Sequence, residues 1–256
     1  MFENLIGFWT LVRRELNRTK RVIGQAIVAP LITAFLYLFV FGYVVGTAVQ
    51  SMHGMPYMSF IFPGVIAMNL ILTVFNTTSF SAYMMKFQKI LDDVLTLPLS
   101  YTEVVLSMLV SGLIRGLVIV GVLAALALVF GVNTVVHPWF LLFWTMLLSV
   151  LFGLLGVIVG IWADNSFEKL ALAGTFILTP LSFIGGAFYS ASSVPEKLQF
   201  IIHFNPIYYA IDGIRYGFTG HHEASMLTSF LVIGALTAIV FTISVWIFRT
   251  GWKLRS

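Results

Sequence analysis

The sequence predicts an all-α membrane protein with six transmembrane helices. Of its 256 residues, 59% are apolar and only 9% are charged, and the mean hydropathy is +1.00. Soluble domains carry about 25% charged residues, so a water-soluble fold could not bury this much apolar surface. At about 20 residues per crossing, the length fits six spans with short connections, in one domain over residues 1–256.

Long apolar runs, separated by turns or polar segments, define the spans. Residues 22–85 contain no Asp, Glu, Lys or Arg, and a turn from Gln50 to Pro56 divides this run in two. Barrel strands would alternate over about ten residues, whereas a helix satisfies every backbone group inside lipid. The predicted helical spans are 22–48, 57–82, 103–130, 139–162, 170–189 and 225–248.

Lys and Arg are divided unequally between the two sides of the membrane. Eleven lie on the side of the chain ends, only Lys197 and Arg215 lie on the other, and Arg115 lies within a span. The positive-inside rule therefore places both ends in the cytoplasm. Because the basic residues gather at span ends, they report topology and do not suggest a nucleic-acid partner. The eleven are Arg13, Arg14, Arg18, Lys20, Arg21, Lys86, Lys89, Lys169, Arg249, Lys253 and Arg255.

Residues 1–21 predict an amphipathic helix in the cytoplasmic headgroup layer, leading into span 1. Its polar Arg14, Asn17 and Arg18 lie away from the apolar face. Such a helix could be a simple anchor or could dock a partner. The predicted apolar face consists of Leu5, Phe8, Trp9, Val12 and Leu16.

A second amphipathic helix is predicted between spans 2 and 3, over residues 86–97. Pro98 ends it, and charged residues including Asp92 and Asp93 occupy much of the surface outside its apolar face. The pattern alone favours a helix lying on the membrane over one that inserts into a partner's groove. The apolar face consists of Phe87, Ile90, Leu91, Val94 and Leu95.

The segment 190–224 is too apolar for a free loop and too interrupted for a span. Pro195 and the pair Asn205-Pro206 divide its 190–218 part into two short helices. We expect them to dip into the outer leaflet and to pack against the bundle. They could either cover the bundle or gate a path through it.

A few polar groups lie inside the spans. Asn69, Thr73 and Asn76 share one face of span 2; they could line a wet path or hydrogen-bond between helices, and the second is favoured. Arg115 lies near the middle of span 3, where a charge costs at least about 2.5–3.5 kcal/mol, so it is expected to have a polar partner or water. Its role could be structural or functional.

Glycine pairs with four-residue spacing occur in three spans and allow close helix approach, within the chain more often than between subunits. They are Gly42 with Gly46, Gly112 with Gly116, and Gly156 with Gly160.

Enzymatic motifs are not visible in the sequence. It contains no G-x-x-x-x-G-K-[ST] loop for ATP, and it has no cysteine for a thiolate metal site. His221-His222-Glu223 could bind a metal, although a solvated turn is the favoured interpretation. We expect no catalysis and no cofactor in this chain.

Two ordered sets of motifs indicate a family. The early set contains Met52-His53-Gly54, Tyr57-Met58 and Phe62-Pro63-Gly64. The late set reads Pro180-Leu181-Ser182-Phe183-Ile184-Gly185-Gly186-Ala187-Phe188-Tyr189, then Pro195, Asn205-Pro206, Tyr209, Asp212 and Arg215. Together with the six spans and the helix after span 2, these motifs resemble the ABC-2 type transporter permeases, in particular their YadH- and NodJ-like branch.

The resemblance implies a half-transporter in the bacterial inner membrane. Two permease chains would pair, and two separate ATPase subunits, which bind ATP and Mg²⁺, would dock beneath them. The substrate would be amphipathic or lipid-like, such as a drug, a lipid, a glycolipid or a polysaccharide. The alternative is an ATP-independent channel or secondary transporter, but neither intramembrane acids nor inverted repeats are visible.

The resemblance also assigns roles to residues, and it favours partner docking for the helix after span 2. The coupling helix to the ATPase would contain Phe87, Lys89, Ile90, Leu91, Asp92, Asp93 and Val94. The exterior gate would contain Pro195, Phe204, Asn205, Pro206, Tyr209, Asp212 and Arg215. Because spans 1 and 5 would meet across the dimer, Gly42 and Gly46 become candidates for the interface.

Overall fold

The computed structural model describes residues 2–49, 51–96, 99–132, 135–163 and 166–254, and it confirms the all-α prediction. Six helices are long and apolar enough to cross a membrane. They are Ile27–Val45, Tyr57–Phe87, Tyr101–Val129, Pro138–Trp162, Phe167–Ile184 and Met226–Thr250.

Ten α-helices follow one another along the described chain, with short π-helical and 3₁₀ segments and one hairpin. The helices are α1 (Phe2–Tyr37), α2 (Tyr57–Phe87), α3 (Ile90–Thr96), α4 (Tyr101–Val129), α5 (Pro138–Trp162), α6 (Phe167–Leu172), α7 (Thr179–Ile184), α8 (Glu196–Phe204), α9 (Pro206–Thr219) and α10 (Met226–Thr250). The π-helical segments Leu38–Val45 and Ala173–Leu178 continue α1 and α6, and Ala191–Ser193 is a 3₁₀ turn.

The hairpin between spans 1 and 2 consists of β1 (Ser51–Met52) and β2 (Met55–Pro56), which are antiparallel. Its two-residue turn has positive φ at both His53 (52°) and Gly54 (76°). Both residues therefore lie in the left-handed region that tight hairpin turns require. The turn holds His53 at the end of the bundle opposite the chain ends.

Helix α2 is the centre of the bundle and packs against α1, α4, α5 and α9. In its most apolar stretch 78% of the residues are buried, against 11% in span 1 and 22% in span 5. Glycines bring α5 close to it, because a methyl group at Gly156 would lie 2.7 Å from the carbonyl oxygen of Phe75. The predicted packing within the chain is confirmed for this pair, and Gly112 and Gly116 likewise face α2.

The N-terminal helix leads into span 1 without a break, since α1 runs continuously from Phe2 to Tyr37. Its packed face is rotated from the predicted one. Leu11, Val12 and Glu15 are buried, whereas Trp9 is 60% exposed. The rotation is possible because Ser81 of α2 donates a hydrogen bond to Glu15 (2.9 Å), so that a carboxylate can occupy the packed face.

The segment after span 2 also differs from the predicted single helix over residues 86–97. Phe87 is the last residue of α2, and Lys89 has φ 57°, a left-handed conformation that ends the first helix before α3 begins. Phe87 and Lys89 therefore lie outside α3. Within α3, Leu91 and Val94 are buried.

The two short helices predicted within 190–218 are present as α8 and α9. Asn205 separates them and caps α9, since its side chain accepts a hydrogen bond from the Ile207 N–H (3.0 Å). Pro206 follows at the first helical position, where its missing N–H costs nothing. Helix α9 is packed inside the bundle, and α8 lies nearer the surface.

Candidate functional site

A cavity of about 600 Å³ opens between α1, α2 and α4. Its wall combines apolar side chains with polar ones. The polar side chains include two arginines, two asparagines and the span 2 threonines Thr73 and Thr77. The lining residues are Arg18, Ala29, Pro30, Thr33, Asn69, Leu72, Thr73, Asn76, Thr77, Phe80 and Arg115. A largely apolar cavity that also carries several polar side chains is the arrangement expected of a site for a molecule with a polar and an apolar part.

The polar face of span 2 forms one wall of this cavity. Asn69, Thr73 and Asn76 all line it, and the Asn69 amide donates to the Val65 carbonyl of its own helix (2.9 Å). Among the described residues, none of the three side chains bonds to a second helix. The interhelical hydrogen bonds that the sequence favoured for these three side chains are therefore not seen among the described residues.

Arg115 reaches into the cavity from α4. Its Nη1 donates to the hydroxyl of Thr77 on α2 (3.1 Å), which is the predicted polar partner. Its Nε is buried and has no hydrogen-bond partner within the described part of the chain. The guanidinium therefore keeps an unused donor at the cavity wall.

Glu15 and Arg18 were missed as site residues by the sequence interpretation. They form an ion pair of 2.9 Å at the cavity edge, and Glu15 is only 3% exposed. The signal lay in their i, i+3 spacing, which places opposite charges on one helix face. Because residues 1–21 were predicted to lie on the membrane surface, these charges were expected to face water.

Helix α3 is a short amphipathic helix whose apolar side is fixed to the bundle. Leu91 and Val94 are 2% and 3% exposed, whereas Asp92 and Asp93 point outward. A second cavity of about 500 Å³ lies beside it, lined by residues of α1 and α2 together with Ile90. The surface consists of two carboxylates beside a groove, and such a surface could accept another protein.

The residues assigned to the exterior gate do not form one surface. Asp212 and Arg215 are 0% and 1% exposed, and Tyr209 is 9% exposed. Phe204, by contrast, is 87% exposed at the end of α8. The gate residues on α9 thus belong to the packed interior, and those on α8 belong to the surface.

Hydrogen bonds hold α9 in place from several sides. Asn205 donates to the Leu181 carbonyl (2.6 Å), and Tyr209 donates to the His203 carbonyl (2.9 Å). Arg215 donates to the Gly186 carbonyl (2.9 Å) and lies 3.9 Å above the ring of Phe60. Both carboxylate oxygens of Asp212 accept backbone N–H groups, from Glu223 and Ala224.

Of the two glycines assigned to the dimer interface, Gly42 lies in the π-helical part of span 1 and Gly46 is the residue that follows it. A methyl group at Gly42 would collide with Met58 of the same chain, so this glycine already serves packing against α2. The outward face beside it is apolar. Phe39, Tyr43 and Val44 are 50%, 61% and 60% exposed.

The sequence profile of the ABC-2 type transporter family matches residues 6–219. The chain belongs to the ABC-2 type transporter family. This confirms the resemblance found in the motifs and accounts for the six apolar helices. The chain is the permease component of an ABC transporter.

Individual relatives agree with this family membership. The chain is 35% identical to the inner membrane transport permease YadH of Escherichia coli strain K12 over 254 residues, which cover 97% of this chain and 98% of that protein. It is 23% identical to nodulation protein J of Rhizobium leguminosarum bv. viciae, over 96% of this chain and 94% of that protein. This ABC-2 permease is therefore a multi-pass protein of the inner membrane.

Proposed function

We propose that two copies of this permease pair and, with two separate ATPase subunits, form an ATP-driven exporter. The cavity at Arg115 is part of the path that the substrate follows. The observation that carries this proposal is the cavity itself, which places polar side chains and a guanidinium at membrane depth between α1, α2 and α4. Charged groups at such depth are expensive and mark substrate pathways.

The cavity supports an amphipathic or lipid-like substrate. Arg115 and Arg18 offer positive charge to a polar head, and Leu72, Phe80 and Pro30 offer an apolar surface to a hydrocarbon part. The relative named as an inner membrane transport permease supports a transport role. A drug, a lipid and a glycolipid all share this chemistry.

Helix α3 is the element that we propose to contact the ATPase. Its buried Leu91 and Val94 connect it to the bundle, so a push on the exposed Asp92 and Asp93 would be transmitted to α2. The connection is short, because only Gln88 and Lys89 separate the two helices. ATP binding in the partner would thus shift a two-state equilibrium of the permease.

The other end of the bundle carries the proposed gate. Helix α9 is held by the contacts of Asn205, Tyr209 and Arg215, so we propose that it forms the fixed wall. Helix α8 exposes Phe200 and Phe204 and would be the part that moves. The Lys and Arg distribution supports a cytoplasmic position for α3 and for both chain ends, with α8 outside.

The proposal is tested by charge reversal on α3. The permease is coexpressed with its ATPase and reconstituted in vesicles, and ATP hydrolysis and export of a fluorescent amphiphile are measured together. We expect the double variant Asp92→Lys, Asp93→Lys to lose ATP-dependent export and to lose substrate stimulation of hydrolysis. The matched control is Glu168→Lys, which reverses an exposed acid on α6, outside α3 and outside the proposed gate.

Two outcomes would contradict the proposal. Full coupling in the α3 variant with normal expression would show that α3 does not contact the ATPase. Export by the permease without any ATPase subunit would favour the ATP-independent channel or secondary transporter. The Glu168→Lys control should keep ATP-dependent export, because this acid belongs neither to α3 nor to the proposed gate.

A further inference from the structure

Three side chains from two distant parts of the sequence meet at the end of the bundle that carries α8. His53 comes from the turn of the β1–β2 hairpin, and His221 and Glu223 come from the link between α9 and α10. One ligand atom from each residue lies within 4.8 Å of the other two. The transport proposal makes no use of this cluster.

The distance between His53 and Glu223 matches the separation of two ligands of one metal ion, and the His221 ring lies close to that of His53. His53 Nε2 lies 3.5 Å from Glu223 Oε1, and the rings of His53 and His221 have centroids 4.7 Å apart. Two ligands at about 2.0–2.2 Å from a tetrahedral zinc ion are separated by about 3.3–3.5 Å. The cluster therefore needs only small side-chain rotations to surround an ion.

Two atoms of the cluster are buried and have no hydrogen-bond partner within the described residues. They are His221 Nε2 and Glu223 Oε1. Buried polar atoms are nearly always satisfied, so orphaned atoms of this kind call for a ligand. A cavity of about 410 Å³ opens onto all three residues and leaves room for water.

We propose that His53, His221 and Glu223 bind a divalent transition-metal ion of the zinc type. Two imidazoles and one carboxylate would supply three ligands, and water from the cavity would supply the fourth, as in open zinc sites. His53 Nε2 is hydrogen-bonded to the Ser190 hydroxyl (2.9 Å) and would exchange this hydrogen bond for the bond to the ion.

The surrounding charges allow a cation at this place. Arg215 Nη1 lies 4.0 Å from Glu223 Oε1, but the same guanidinium also faces Asp212 at 3.9 Å. Two carboxylates thus face one guanidinium, which leaves one negative charge for a further cation.

A bound ion would join the hairpin after span 1 to the link before span 6. Glu223 already holds the segment after span 5, because its Oε2 accepts the Ala191 N–H (2.9 Å). The ion would therefore fasten three connections on one side of the bundle. This binding does not depend on the transport proposal, and it can be tested without any substrate or ATPase.

The first test uses the unaltered full chain, purified in detergent with an affinity tag that contains no histidine. Cobalt(II) is titrated in as a spectroscopic probe, and zinc is then added in competition. We expect visible absorption bands of a low-coordinate cobalt site that saturate at one ion per chain and disappear on addition of zinc. Absence of saturable bands would overturn the proposal even if every variant failed to fold.

The second test compares variants with matched controls. We expect His53→Ala, His221→Ala and Glu223→Gln each to weaken zinc binding by at least about 100-fold, because loss even of an outer-shell group costs about 10–100-fold. His222→Ala is the control, since this exposed neighbour bonds to the Ala224 carbonyl and does not belong to the cluster. Zinc should raise the melting temperature of the unaltered chain and of His222→Ala. It should leave the melting temperatures of the three cluster variants unchanged.

The controls also define the contrary results. Equal zinc affinity in the three cluster variants and the unaltered chain would show that the ion binds elsewhere. Loss of binding in His222→Ala to the same extent would show adventitious histidine binding. If His53 and Glu223 form only an ion pair with each other, zinc will neither bind stoichiometrically nor change the melting temperature.

Discussion

Arg215 is a charge removed almost wholly from solvent, and its contacts explain how the bundle tolerates it. The Gly186 carbonyl, the Phe60 ring and the carboxylates of Asp212 and Glu223 surround the guanidinium. Removing one member of such a group leaves the others buried and uncompensated. The stability of this part of the chain therefore depends on keeping the whole group of charges together.

Arg215→Met is therefore expected to destabilise the protein by about 3–5 kcal/mol, because Asp212 loses its counter-charge in a buried position. Thermal unfolding of the purified protein in detergent measures the effect. Lys197→Met removes a charge from the surface of α8 and should change the melting temperature little. Equal melting temperatures for the two variants would mean that Arg215 has no structural role.

Arg115→Leu is expected to reduce ATP-dependent export by about tenfold or more, because one charged hydrogen bond is worth about 1.5–3 kcal/mol. The apolar variant should insert and fold normally, since it removes a charge from the membrane. Export by reconstituted vesicles is measured beside the melting temperature.

Thr77→Val provides the comparison for Arg115. It removes the hydroxyl partner and keeps the guanidinium in the cavity, so a smaller loss of export is expected. If Arg115→Leu assembled and exported normally, Arg115 would have no function in transport. A loss of stability equal to the loss of export would indicate a structural role alone.

At the scale of single elements, the contact between α2 and α5 depends on glycine. Gly156→Ala is expected to destabilise the protein by about 1–3 kcal/mol, because the added methyl group has no space beside the Phe75 carbonyl. Gly121→Ala on α4 is the matched control, since a methyl group there meets nothing within 4 Å. The melting temperature should fall for the first variant and stay level or rise for the second.

The outcome for the glycines separates packing from helix propensity. Alanine is the better helix former by about 1 kcal/mol, so both variants gain equally from propensity. An unchanged or higher melting temperature for Gly156→Ala would show that α2 and α5 are not held as closely as the structure places them.

The sequence was sufficient for the six spans and for the break at Asn205-Pro206, because both depend on local chemistry. Long charge-free runs form helices inside lipid, because a helix satisfies its own backbone groups. Asn205-Pro206 favours the start of a new helix, because Asn is a good cap and Pro suits the first helical position. Long-range choices could not be predicted. Glu15 occupies a packed face, where Ser81 of α2 donates to it and Arg18 pairs with it, and the face that contains Trp9 is turned outward.

The functional residues divide in the same way. The sequence predicted that Arg115 needs a polar partner, but it could not identify Thr77 or the cavity around Asn69. Phe87 follows the apolar period of α3, yet it ends α2, because Lys89 adopts a left-handed turn that periodicity does not reveal. Only the fold brings His53 to His221 and Glu223, because the β1–β2 hairpin and the link between α9 and α10 are far apart in the sequence.

At the scale of the whole molecule, burial is concentrated in α2 and leaves three spans at the periphery. Spans 1, 5 and 6 have 11%, 22% and 22% of their most apolar stretches buried. Lipid could cover all three spans, but a permease that pairs must bury one of these faces against the second copy. Spans 1 and 5 also share π-helical segments, which often occur at functional positions.

Pairing through spans 1 and 5 can be tested by cross-linking, because the chain contains no cysteine and every introduced thiol is unique. Tyr43→Cys on span 1 and Leu231→Cys on span 6 form a matched pair, since the original side chains are 61% and 60% exposed. In native membranes we expect a short bis-maleimide reagent to convert the Tyr43→Cys chain into a dimer and to leave Leu231→Cys monomeric. Thiols near the two-fold axis of a symmetric dimer are close to their own copies, whereas thiols facing lipid are not. Dimers from Leu231→Cys alone would move the interface to span 6, and dimers from neither variant, nor from Phe39→Cys one turn earlier, would contradict pairing through span 1.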